Sequence, residues 1–130
     1  TYLSYIPRKD FTYKVHSYKD YRGDFIELFK YPNNGQISYF SINPKVNRGG
    51  HYHNTKVEKF FIVEGDVVFD FYDLNKKKKF SIKLDSKDHK ILETIPGYVH
   101  SIRNIKKKIS KGIIWSNEVF NKKKPDTIRN

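Results

Sequence analysis

The chain contains no cysteine, which excludes disulfide bonds, thiolate nucleophiles and zinc sites built on thiolates. Histidine and carboxylate side chains are therefore the strong metal ligands that remain. No apolar run is long enough to span a bilayer, and the N-terminal segment TYLSYIPRKD lacks the basic and apolar regions of a signal peptide. We expect a cytoplasmic protein without a membrane segment.

Alanine is also absent, while Lys, Asn, Ile, Phe and Tyr are abundant. This composition is typical of an AT-rich coding sequence, so we interpret part of the formal net charge of +12 as codon bias. The densest lysine runs, 76–79, 106–108 and 122–124, fall in expected turns and near the C-terminus. No nucleic-acid-binding motif accompanies them, so we expect solvated loops, a polar tail over 121–130 and no nucleic-acid partner.

A length of 130 residues suits one domain with a single core. Apolar and polar residues alternate along most segments, which indicates β-strands, and helical periodicity is nearly absent. The predicted strands are Phe11–His16, Phe25–Phe29, Gly35–Ile42, Gly50–His53, Glu58–Glu64, Asp66–Tyr72, Lys79–Leu84, Lys90–Ile95, His100–Asn104 and Gly112–Asn117. Short strands separated by tight Pro, Gly and Asn turns predict an all-β barrel or jelly roll.

The segment GGHYHNTKVEKF places His51 and His53 two residues apart and ends near Glu58. Residues two apart in a strand lie on the same face, about 6 to 7 Å from each other. Glu58 shares its parity with Phe60 and Ile62, so we expect it on the face that lines the core. A carboxylate on that face is costly without a partner.

A further histidine, His100, follows the Pro96-Gly97 turn, where a strand would enter the barrel. The resulting candidate set is His51, His53, Glu58 and His100. Two or three imidazoles and a carboxylate suit zinc, iron, manganese or nickel. The alternative is that these are structural histidines, as we interpret His16 and His89. We favour a metal or active site because structural histidines have no reason to adopt a joint spacing.

These spacings resemble the two conserved motifs of the cupins. The matching stretches are His51-x-His53-x4-Glu58-x6-Gly65 and Pro96-Gly97-x2-His100-x3-Asn104. The resemblance implies a cupin jelly-roll barrel over 1–130, with the metal ligands inside and a divalent metal, best zinc, as cofactor.

Most of the chain is also similar to the C-terminal cupin domain of bifunctional bacterial capsule enzymes on the route to UDP-N-acetyl-L-fucosamine. The similarity is carried by TYLSYIP, Arg22–Glu27, Gly35–Ser38, GGHYHNTKVEKF, IPGYVHSIRNI, IIWSNEVF and Lys124–Thr127. In that family an N-terminal short-chain dehydrogenase domain reduces C4 with NADPH, and the cupin domain epimerises C3. The resemblance implies an interdomain junction over 1–10 and a dehydrogenase domain missing from this chain.

A more distant resemblance is to dTDP-4-dehydrorhamnose 3,5-epimerase, a metal-free cupin. It is carried by Asp20-x-Arg22-Gly23-x-Phe25-x-Glu27 and by Arg48-Gly49-Gly50-His51. The resemblance implies substrate-binding roles for Arg22, Phe25, Glu27 and Arg48. The two arginines would bind the diphosphate and Phe25 would stack on the uracil. In that family such contacts often cross a homodimer interface. That family's Gln and catalytic Lys correspond to His53 and Glu58, so its metal-free mechanism does not carry over whole.

Together the resemblances imply epimerisation at C3 of a UDP-linked 4-keto-6-deoxy-N-acetylhexosamine in bacterial capsule or O-antigen synthesis. His51 and Tyr98 are the candidate proton-transfer residues, His51 only where it is not a metal ligand. The metal either polarises the ketone or braces the barrel. A sugar-nucleotide 3,4-ketoisomerase and a non-catalytic metal-binding or dimerisation module of a larger reductase are the alternatives.

Overall fold

The computed structural model describes residues 7–53, 57–94, 96–117 and 127–129, with the backbone alone for 50–53 and 127–129. Its strands are β1 Ser17–Asp20, β2 Gly23–Tyr31, β3 Gly35–Ile42, β4 Asn47–His53, β5 Glu58–Glu64, β6 Asp66–Asp73, β7 Lys78–Asp85, β8 Ile91–Thr94, β9 Tyr98–Asn104, β10 Ser110–Ser116 and β11 Thr127–Arg129. Short 3-10 turns occupy Arg8–Asp10 and Ser86–Asp88. No helix in the described residues is long and apolar enough to cross a membrane.

The strands form two antiparallel sheets whose inner faces enclose the core. The larger sheet has the order β1-β2-β3-β10-β5-β8, and the smaller has the order β11-β4-β9-β6-β7. Strands distant in sequence are neighbours in both sheets, as in a jelly roll. The predicted all-β barrel is confirmed.

One predicted strand, Phe11–His16, is wrong. This segment alternates apolar and polar residues, but the first strand begins at Ser17. The segment joins the sheet at its last residue, where His16 O accepts from Glu27 N of β2 at 2.9 Å. Phe11 and Tyr13 are 70% and 75% exposed. Alternation alone therefore did not produce a strand, because a strand also needs a neighbour that accepts its backbone hydrogen bonds. Within the predicted polar tail, Thr127–Arg129 pairs with β4.

The core between the sheets is built from aromatic and branched aliphatic side chains. Phe60 of the larger sheet packs edge-on against Phe69 of the smaller, with ring centroids 5.1 Å apart, and against Phe40 at 6.2 Å. Fully buried Ile42 and Val67 extend the same cluster. These are the inward positions that the period of two predicts, since residues i and i+2 of a strand share a face.

The inner face of the larger sheet changes from apolar to polar along the strand direction. An apolar row crosses three strands at Phe40, Gly112 and Ile62. The row four residues further along each strand runs across β3, β10, β5 and β8 at Gln36, Ser116, Glu58 and Thr94. We call this second set the polar row. It places a line of hydrogen-bonding side chains at one end of the barrel interior.

Asn104 closes the opposite, apolar end of the interior. Its Nδ2 donates to Ile42 O at 2.9 Å and to Lys108 O at 2.8 Å, and its Oδ1 accepts from Lys106 N at 3.0 Å. The side chain is fully buried, so these bonds tie β3, β9 and the following turn together. The neighbouring turn requires Gly65, because its φ is +95° and an added Cβ would meet Ser110.

We predict that Asn104→Ala lowers the free energy of unfolding by about 2 to 3 kcal/mol, since it removes three side-chain hydrogen bonds worth roughly 1 kcal/mol each and leaves buried partners unpaired. Urea denaturation measures the change. Asn33→Ala, in an exposed turn, is the matched control and should change stability little. A loss at Asn104 no greater than the loss at Asn33 would contradict this account.

Candidate functional site

At the polar end of the interior, an imidazole and a carboxylate from opposite sheets meet. His100 Nε2 in β9 lies 3.5 Å from Glu58 Oε1 in β5, and the two side chains are 3% and 12% exposed. Phe60 and Phe71 pack against the imidazole with ring centroids 5.9 and 6.2 Å away. The aromatic rings give this contact an apolar setting, where a carboxylate is costly without a polar partner. Two members of the predicted ligand set are thus brought together.

The other two predicted ligands lie on β4. Backbone pairing places His51 directly opposite His100, and His53 opposite Thr127. Directly opposed residues of an antiparallel pair have Cβ atoms about 4.5 to 5.5 Å apart. The side chains of His51 and His53 lie outside the described residues, so their roles stay predictions.

Among the described side chains, no group of three histidines or carboxylates converges as a metal site. The Glu58–His100 pair nevertheless fits part of one, because it offers an oxygen and a nitrogen donor at 3.5 Å from each other in a buried setting. The position of His51 beside His100 in the sheet is consistent with a third donor. A His and Glu set of this kind suits a divalent transition metal.

A second cluster lies where β1, β2, β3 and β4 approach each other. Asp20 Oδ2 accepts from Arg22 Nη2 at 2.6 Å and from Nε at 3.0 Å. The half-buried Arg48 donates from Nη1 to Ser41 O at 3.2 Å, and its guanidinium lies 5.9 Å from the Phe25 ring centroid. Burial lowers the pKa of Arg48, and the charge of Arg22 lowers it further. Arg22, Phe25 and Arg48, predicted separately from two motifs, therefore share one surface.

Glu27, the remaining predicted substrate-binding residue, is instead buried in the interior. Its Oε1 lies 2.9 Å from Lys30 Nζ, and its Oε2 accepts from Gln36 Nε2 at 3.4 Å. Gln36 Nε2 also donates to Ser38 Oγ at 2.8 Å. The structure thus separates Glu27 from the arginine cluster and joins it to the polar row.

Tyr98, the predicted proton-transfer residue, is half-buried at the start of β9, two residues before His100. Its ring packs edge-on against Phe71 and Phe80 at 6.3 and 6.1 Å. Sequence reasoning missed the polar row members Gln36, Ser116 and Thr94. The available signal was their inward parity with apolar strand neighbours such as Phe40, Ile114 and Leu92.

The hydrogen bonds from Arg22 lower the pKa of Asp20 from 3.8 to about 2. A carboxyl group whose pKa is lower in the folded protein stabilises the fold above its unfolded pKa, near 4, and this contribution is lost as pH falls through about 2. Asp20 is 40% exposed, so solvent screening reduces the effect.

We therefore predict that the stability difference between wild type and Asp20→Asn is present at neutral pH and disappears between about pH 4 and pH 2. Urea midpoints measured at steps across this range test it. Asp10→Asn, in the exposed Arg8–Asp10 turn, controls for the loss of one negative charge. A difference that is independent of pH in this range would mean that Arg22 does not hold Asp20 ionised.

Comparison with known proteins agrees with the fold and places the chain in a family. Residues 18–128 match the model of the polysaccharide biosynthesis C-terminal domain. The chain is 39% identical over 127 residues to UDP-2-acetamido-2,6-beta-L-arabino-hexul-4-ose reductase of Pseudomonas aeruginosa, covering 98% of this chain and 34% of that protein. It thus spans about a third of this relative's length.

Solved structures give the same result. The capsular polysaccharide assembling protein CapF from Staphylococcus aureus superimposes with a TM-score of 0.91 at 36% identity, over 99% of this chain and 35% of that chain. Oxalate decarboxylase of Bacillus subtilis superimposes with a TM-score of 0.73 at 16% identity, over 89% of this chain and 30% of that chain, which shows the fold alone.

The two-sheet barrel with a histidine and a carboxylate meeting in its interior defines the chain as a cupin jelly roll. More closely, the chain belongs to the polysaccharide biosynthesis C-terminal domain family. The resemblance to the C-terminal cupin domain of capsule enzymes is confirmed.

Proposed function

We propose that this cupin binds a divalent metal, best zinc, and epimerises C3 of a UDP-linked 4-keto-6-deoxy-N-acetylhexosamine. The observation that carries the proposal is the buried contact of Glu58 with His100 at the polar end of the barrel. The similarity to a UDP-hexulose reductase and to a capsular polysaccharide assembling protein supports the substrate class. The remaining two thirds of such a relative would include the dehydrogenase domain that reduces C4.

The chemistry needs the removal and return of one proton. A proton on C3 is acidified by the neighbouring C4 ketone, and epimerisation returns it to the opposite face of the enolate. A bound metal would be held by His51, His53, Glu58 and His100 and would supply a Lewis acid or a rigid brace for the barrel. Tyr98, and His51 if it is not a ligand, are the candidates that hold the proton.

Substrate binding is assigned to the cluster at the β1–β4 corner. Two guanidinium groups, Arg22 and Arg48, suit the two phosphates of UDP, because guanidinium binds phosphate through parallel hydrogen bonds. The Phe25 ring beside Arg48 offers a stacking surface for the uracil. Glu27, inside the barrel with Lys30 and Gln36, would contact the substrate from the interior.

We also propose that the domain functions as a homodimer. An apolar row crosses the outer face of five strands of the larger sheet, at Ile26, Tyr39, Ile113, Phe61 and Ile91. Ile91 is 58% exposed. Such a contiguous apolar surface is typical of a protein interface, and a second copy of the chain is the partner that the proposal assigns to it.

We predict that dialysed protein retains about one divalent ion per chain and that Glu58→Gln weakens metal retention at least about tenfold, because a neutral amide replaces a carboxylate donor. Elemental analysis after dialysis against graded chelator measures the change. Glu93→Gln is the matched control, since Glu93 lies on the adjacent strand with a half-exposed side chain. Equal metal content in both variants would contradict the ligand assignment.

We predict that the isolated domain, without NADPH, exchanges one C3 proton of the 4-keto substrate for deuterium in deuterated water. Mass spectrometry counts the deuterons. NMR locates them at C3 and shows whether the carbonyl remains at C4, which separates an epimerase from a ketoisomerase. His100→Ala should slow exchange about 100-fold or more, since His100 either holds the metal or lies beside the reacting carbon.

His89→Asn is the control for the exchange assay, because His89 is exposed and has a φ of +52°, a conformation that Asn tolerates. Its exchange rate should match that of wild type. A wild-type domain that leaves C3 unlabelled while the full-length enzyme labels it would favour the non-catalytic module instead.

A further inference from the structure

Thr94, the last residue of β8, carries a buried hydroxyl group that no described residue contacts through a hydrogen bond. The residue is 3% exposed, and Oγ1 has no hydrogen-bond partner among the described residues. Buried side-chain hydroxyl groups are almost always paired, and an unpaired one costs free energy. Such an exception in a native interior needs a partner, which an ordered water, an ion or a ligand oxygen can supply.

The position of Thr94 indicates which ligand. It ends the polar row, directly opposite Glu58 in the pairing of β5 with β8. Directly opposed residues share a face of the sheet, so the hydroxyl group belongs to the interior end where Glu58 meets His100. At the opposite end, buried Ser110 has its hydroxyl group paired, because its Oγ donates to Asp66 O at 3.2 Å. The unpaired hydroxyl group therefore lies at the same end of the interior as Glu58 and His100.

Thr94 also lies far across the sheet from the arginine cluster, where we propose that the nucleotide binds. The arginine cluster lies at β1, β2 and β4, whereas β8 is the opposite edge strand of the larger sheet. A UDP-sugar with its diphosphate on Arg22 and Arg48 and its sugar at Glu58 and His100 would bring a sugar oxygen, rather than a phosphate or the base, towards Thr94.

We propose that Thr94 Oγ1 hydrogen-bonds an oxygen of the sugar ring of a bound UDP-sugar and is a specificity-determining residue of this site. The proposal rests on the proposed function for the class of ligand. A site built to hydrogen-bond a ligand oxygen discriminates through that bond, because the polar group is otherwise left unpaired. Thr94 thus acts on the sugar and not on the metal or the nucleotide.

Thr94→Val tests this, because valine has nearly the same shape without the hydroxyl group. Isothermal titration calorimetry of the metal-replete protein with UDP-N-acetylglucosamine and with UDP gives the two affinities. We expect Thr94→Val to raise the Kd for UDP-N-acetylglucosamine about tenfold and to leave the Kd for UDP within about twofold, because only the sugar loses a hydrogen bond. Thr94→Ser, which retains a hydroxyl group, should bind UDP-N-acetylglucosamine with nearly the wild-type Kd.

Two further readouts distinguish a ligand contact from a structural role. Since the hydroxyl group bonds to no residue in the part of the chain that the structure describes, Thr94→Val should keep or raise the Tm and should keep the metal content. Ser110→Ala, the matched control, should lower the Tm by several degrees and leave both Kd values unchanged, because its hydroxyl bonds the fold and not the ligand.

The proposal is overturned if Thr94→Val changes the two Kd values equally, changes neither, or lowers the metal content. A lower Tm without a loss of sugar affinity would assign the hydroxyl group to the fold. Wild-type protein that binds neither ligand would overturn both the role of Thr94 and the proposed function. If Thr94→Val raises the Kd for UDP-N-acetylglucosamine as expected, but the wild-type protein exchanges no C3 proton, only the proposed function is overturned.

Discussion

The pairing of β10 with both β3 and β5 is the constraint on which the interior depends. Gly112, in the middle of β10, leaves room for the Phe40 ring, because an added Cβ would lie 2.6 Å from Phe40 Cζ. A slip of one residue would turn Ile114 and Ser116 outwards and direct Trp115 towards the core, since successive side chains of a strand face opposite sides. This register therefore aligns the apolar rows and, four residues away, the polar row.

The separation of apolar and polar rows explains how a small barrel can contain a reactive interior. Phe40, Ile62 and their neighbours exclude water from one end and supply most of the burial that stabilises the fold. At the other end, Glu27 lies beside the ammonium group of Lys30 and Glu58 lies beside the imidazole of His100, so each carboxylate has a polar neighbour inside the barrel. Because the polar side chains lie together at one end, the apolar core at the other end is not interrupted, and the polar end offers hydrogen-bonding groups to a ligand.

The arginine cluster depends on a different balance of charge. Arg48 is half-buried near Arg22, and both burial and the charge of Arg22 lower its pKa. Asp20 offsets part of this unfavourable arrangement by binding Arg22. Asp24 acts on Arg48 in the same way as Asp20, since both carboxylates raise the pKa of Arg48. The corner thus holds two guanidinium groups balanced by two carboxylates, and a phosphate would bind through the guanidinium donors. Of the lysine runs predicted to lie in turns, 76–77 and 106–108 do so, whereas Lys78 and Lys79 begin β7.

The sequence by itself determined the all-β class, most strands and the inward parity of Glu58, because an alternation of period two is a local property of the chain. It also indicated that Glu58 and His100 belong to one site, through their motifs. Only the tertiary structure decided that the first strand begins at Ser17 and not at Phe11, that Glu27 is buried with Lys30, and that Thr94 ends a polar row beside Glu58. These facts depend on which distant strands become neighbours and in which register, and hydrogen bonding between strands far apart in the chain leaves no local pattern.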